Sequence, residues 1–79
     1  MSPEIEAGMA RDLECALLRK ALLSAVAAIN ASLEACIALS NSDRTVAHEQ
    51  LERAVERGTE NLDEALAYIK EALDVRHGA

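Results

Sequence analysis

The longest run without charge in this chain lies between Lys20 and Glu34, thirteen residues reading ALLSAVAAINASL. The stretch has no strand-like alternation, and its Ala and Leu content predicts the interior of a long helix. A helix that is apolar nearly all round must be covered on several sides. The pattern around it predicts two helices. The first runs over about residues 9–39, the clusters Ser2-Pro3, Glu4 and Glu6 providing start signals that Gly8 weakens. Residues 40–42 form the loop. The second helix runs over about residues 43–76, capped by Ser42 or Asp43 and ended by Gly78. Both helices come out roughly 45–50 Å long, and a short loop makes them antiparallel.

Gly58-Thr59 is the one place where the second helix could break, giving three helices instead of two. Against a break, the apolar positions keep their phase across it, through Leu51, Val55, Gly58, Leu62, Ala65, Ile69 and Ala72. The second helix is amphipathic. Glu49, Glu52, Glu56, Glu60, Asp63, Glu64, Glu71 and Asp74 share one face, opposite Leu51, Val55, Leu62, Leu66, Ile69 and Leu73.

The first helix is apolar on two sides. Its main face carries Cys15, Leu18, Leu22, Ala25, Val26, Ile29, Leu33, Cys36 and Ile37, and its reverse side holds Leu13, Leu17 and a row of alanines. One side can cover the second helix, and the other calls for another subunit. The main face also reads alike in both directions about a point between Ala25 and Val26: Cys15 mirrors Cys36, Leu18 mirrors Leu33, and Leu22 mirrors Ile29. Two-fold dimers bring such self-complementary surfaces together. The expected architecture is all-α, a single-domain antiparallel helical hairpin that dimerises into a four-helix bundle. Its expected dimer interface is Cys15, Leu18, Leu22, Ala25, Val26, Ile29, Leu33 and Cys36.

Composition sharpens this picture in two ways. Apolar residues make up 51% of the 79, yet the chain has no Phe or Trp and a single aromatic, Tyr68. A core of Ala, Leu, Ile and Val in so short a chain contributes only about 3–5 kcal/mol, so oligomerisation is the expected supplement. The formal charge of −6 argues against direct binding to nucleic acid or to an anionic membrane, and suits a basic protein partner. The acidic N-terminus lacks the apolar core of a secretory signal, and two cysteines make no disulfide framework. Within one helix Cys15 and Cys36 stand about 31 Å apart, too far to pair. A cytoplasmic location is expected. Ala21–Leu39 is long enough to span a membrane, but Asn30, Glu34 and many alanines argue against a span.

Catalytic chemistry has little to stand on. Cys15, Cys36, His48 and His77 lie too far apart along the helices for a zinc site, and His48-Glu49 lacks the second histidine of a metalloprotease helix. The three glycines are scattered and make no phosphate loop. No enzyme, cofactor or metal is expected. The expected role is protein binding, as a regulator, adaptor or inhibitor. Candidate contacts are Leu13 and Leu17, the lone aromatic Tyr68, and the acidic residues Glu56, Glu60, Asp63 and Glu64. Two other readings fit the same residues. One is an acidic nucleic-acid mimic that blocks a nucleic-acid-binding machine, of the phage or plasmid counter-defence type, although Arg53, Arg57 and Lys70 interrupt its ridge. The other is a structural subunit of a hetero-oligomeric helical bundle.

Overall fold

The computed structural model describes residues 2–78 and consists of two long helices, α1 (Pro3–Leu39) and α2 (Arg44–Gly78), packed against each other as a hairpin. Its Cα extents are 63 × 13 × 12 Å and its radius of gyration is 18.2 Å. A compact domain of this length would have a radius near 12 Å. The hairpin is a two-helix ribbon, too thin to enclose a core of large side chains.

Helix α1 begins at Pro3, about six residues earlier than the expected start near Met9. The start signals outweigh the cost of Gly8. Ser2 caps the helix by accepting from the Ile5 amide at 3.3 Å, Pro3 occupies the first turn, and Glu4 and Glu6 face the positive end of the helix dipole. The helix ends at Leu39, where the Ser40 amide bonds the Ile37 carbonyl and the Ser40 hydroxyl donates to the same oxygen at 2.6 Å. The Asn41 side chain then accepts from the Asp43 amide at 3.0 Å, bending the chain back. Asp43 caps α2 by accepting from the Thr45 and Val46 amides at 3.0 and 3.2 Å.

Helix α2 is continuous through Gly58-Thr59. Thr59 does not cap a new helix. Its hydroxyl donates back to the Val55 carbonyl at 2.9 Å, inside the helix.

The seam between the helices is built from small residues. Every residue of α2 that escapes full exposure falls on one ladder of alternating three- and four-residue steps: Ala47, Leu51, Ala54, Gly58, Asn61, Ala65, Tyr68, Ala72 and Val75. The facing ladder on α1 is Ala10, Glu14, Leu17, Ala21, Ser24, Ala28, Ala31, Ala35 and Ala38. Such a spacing is the mark of a coiled-coil seam. The buried members are nearly all alanines, with Leu17 the only large side chain among them. A Cβ placed on Gly58 would meet that of Ala31 at 3.5 Å, so the helices run in close contact there.

Candidate interaction surface

Because alanine fills the seam, the large apolar side chains lie outside it. Leu18, Leu22, Leu23, Val26, Ile29, Leu33 and Ile37 on α1 are all exposed, Leu22 at 64% and Ile29 at 60%. On α2 the same holds for Val55, Leu62, Leu66, Ile69 and Leu73. Isolated exposed leucines are ordinary on protein surfaces, but so many large apolar side chains left outside the seam make the surface a candidate for interaction.

The two flanks of the ribbon differ in chemistry. One is polar: Arg57 pairs with Glu34, and the Lys20 ammonium lies 5.8 Å from the Tyr68 ring centroid. A shallow depression on this flank is lined by Glu34, Gln50, Arg53 and Arg57, with Ile37 and Ala38 beside them. The other flank is a groove where Ala28, Ser32 and Ala35 of α1 face Val55, Thr59 and Leu62 of α2. Counting one turn outward from that groove reaches Leu22 and Ile29 on α1 and Leu66 on α2, so both helices contribute to one apolar side. The acidic residues Glu49, Glu56, Glu60, Asp63 and Asp74 are exposed on α2 away from it.

The residues expected at a dimer interface sit on this outer side. Leu18, Leu22, Val26, Ile29 and Leu33 are exposed there, as are both free thiols, Cys15 and Cys36, while Ala25 is half-buried. The expected partner contacts divide. Leu17 is a correction: it is 7% exposed and inserted in the seam, in step with the alanines Ala21 and Ala31, so it is not available to a partner. Leu13, 51% exposed, remains on the surface.

Tyr68 is half-buried on the seam ladder, its hydroxyl donating to Glu64 Oε1 at 3.2 Å. That hydrogen bond, together with the charge of the Glu64 carboxylate, raises the phenol above its ordinary value of 10.0. Glu64 is thereby engaged by Tyr68, whereas Glu56, Glu60 and Asp63 face solvent. The small-residue seam itself was the feature that ranking residues by hydrophobicity missed. Its signal is the regular three-and-four spacing of Ala and Gly.

Among the described residues no three His, Cys, Asp or Glu side chains gather as a metal-binding group. His48 lies 3.0 Å from Glu52 on the exposed surface of α2. Helix α1 is long and apolar enough to cross a membrane by length and composition. Compared with known proteins, the chain matches no family model, no curated protein and no solved structure.

Proposed function

We propose that this chain is a non-enzymatic protein-interaction module, a small regulator, adaptor or inhibitor that works as a homodimer of hairpins in the cytoplasm. The observation that carries this reading is the division of labour between residue sizes. Alanine and glycine join the two helices of one chain, and leucine, isoleucine and valine are left for a second surface. Pairing two hairpins through their apolar sides makes a four-helix bundle with the large side chains in the middle. The acidic ridge of α2 then lies on the outside, where it can meet a basic protein.

Size supports the pairing. The apolar side runs along about 30 Å of paired helix and is about 20 Å wide, on the order of 600 Å² per chain. That is at the lower end of what each partner contributes to a stable interface. A bilayer covers this face poorly. Helix α2 lies alongside α1 with its row of carboxylates, and a spanning α1 would have to leave its partner or carry those charges into hydrocarbon.

The test is solution mass by light scattering, with helicity followed through a dilution series. A strongly helical particle of twice 8.5 kDa supports the reading. A helix-poor monomer or a polydisperse aggregate overturns it and favours a subunit whose bundle is completed by a different polypeptide. Flotation with lipid vesicles would instead identify a membrane as the cover.

A further inference from the structure

The outer apolar residues also determine how the second copy sits, an inference that rests on the homodimeric reading above. On α1 the exposed order Cys15, Leu18, Leu22 is repeated in reverse as Ile29, Leu33, Cys36, about a centre between Ala25 and Val26. Helix α2 has a mirror order of its own. Val55 and Leu62 are reflected by Leu73 and Leu66 about Glu64, and all four are exposed, while Ile69 falls opposite Thr59.

The sequence does not relate the two centres, but the hairpin does. Ala31 stands against Gly58, Glu34 pairs with Arg57, Lys20 lies over Tyr68, and Glu14 pairs with Arg76. Interpolating within this register sets the Ala25–Val26 centre level with Glu64, to within about one residue rise of 1.5 Å. Both centres of mirror order thus share one height on one side of the ribbon. A single two-fold axis running across both helices requires that coincidence.

The geometry points to a second copy of this chain packed on the apolar side about that axis, α1 against α1 and α2 against α2, each pair antiparallel. Leu22 then meets Ile29 of the partner subunit, Leu18 meets Leu33 of the partner subunit, and Leu62 meets Leu66 of the partner subunit. The alternative two-fold runs along the bundle and sets α1 against the partner's α2. It fits worse. The apolar surface of α1 is broad, extending through Val26 and Leu33, whereas that of α2 is a narrower stripe. Pairing like with like sets the broad surface against its equal and the narrow stripe against its own.

The native cysteines report the register, because the axis brings Cys15 beside Cys36 of the partner subunit. The full-length dimer, confirmed first by light scattering, is oxidised with copper–phenanthroline in air. Each disulfide formed gives up two thiol protons and two electrons, which reduce dioxygen through the copper complex. The expected product is a covalent dimer in which peptide mapping joins Cys15 to Cys36 across chains. Links from Cys15 to Cys15 or from Cys36 to Cys36 overturn the proposed axis.

A second measurement decides the matter if thiol geometry prevents bonding. In a Cys15→Ala, Cys36→Ala background, Glu49→Cys carries a nitroxide on the exposed acidic ridge. Pulsed dipolar spectroscopy should then give a separation of about 45 Å or more, since the two labels lie on opposite sides of the axis. A separation near the bundle width, about 20–30 Å, overturns the proposal while leaving the dimer intact. A monomer in the light-scattering step instead removes the homodimeric reading itself.

Discussion

At the scale of single residues, Gly58 and Ala31 show how this hairpin closes. The Cβ-to-Cβ distance available at Gly58 is 3.5 Å, an ordinary contact, so a methyl group fits there without moving Ala31. Gly58→Ala should therefore gain the helix propensity that glycine forfeits, about 1 kcal/mol, and raise the thermal midpoint by a few degrees. Ala31→Leu should do the opposite. Its added bulk has no space in a seam where Ala31 is 4% exposed, and a loss of about 1–3 kcal/mol by thermal or urea denaturation is expected. Tyr68 offers a spectroscopic check on its hydrogen bond to Glu64 within α2. The Glu64 carboxylate favours the protonated phenol, so ultraviolet titration at 295 nm should give a midpoint above 10.0, returning toward that value in Glu64→Gln. The folded pKa lies above the unfolded one. The stabilising contribution is therefore complete below the ordinary tyrosine value and is lost as pH rises through the folded value.

At the scale of the helices, the caps and the seam explain what the sequence made legible. Ser2, Pro3, Glu4 and Glu6 announced the start of α1, but Gly8 argued for a later one, and the local capping hydrogen bond decided in favour of Pro3. Asp43 was readable as a cap. Asp43→Ala should cost about 1 kcal/mol, seen as lower thermal stability without loss of the folded baseline. Continuity through Gly58 was readable from the unbroken phase of the apolar positions. The identity of the seam was harder to see. Leu and Ile carry more transfer free energy than Ala, so ranking by hydrophobicity points to Leu62, Leu66 and Leu73 as the contact face. Close helix approach depends on small side chains, and the seam follows Ala54, Gly58, Ala65 and Ala72 instead. Leu17 was misplaced for the same reason, a large residue on the small-residue ladder. Leu17→Glu should accordingly destabilise the hairpin, with loss of helical ellipticity, since it puts a carboxylate at a buried seam position in step with alanines.

At the scale of the whole molecule, stability and binding are separated by surface. The seam holds the ribbon together, and in the proposed assembly the apolar side would gather a second copy while the acidic ridge is left for solvent or a basic partner. Substitutions should sort along those lines. Leu22, 64% exposed in the single hairpin, would be central in the proposed bundle, so Leu22→Glu should halve the solution mass. Some helicity should persist at high concentration, because the alanine seam is untouched. Reversing Glu60, Asp63 and Glu64 together should leave the mass unchanged, because these residues lie away from the apolar side. The two variants then separate assembly from recognition. If a basic partner binds the ridge, its affinity for the native dimer should fall steeply between low and physiological salt, within the range where the screening length drops to about 8 Å. The charge-reversed dimer should show neither that affinity nor its salt dependence. A partner that binds the charge-reversed chain as well as the native one, at every salt concentration, would place recognition on the apolar side and leave the ridge as a solvated face.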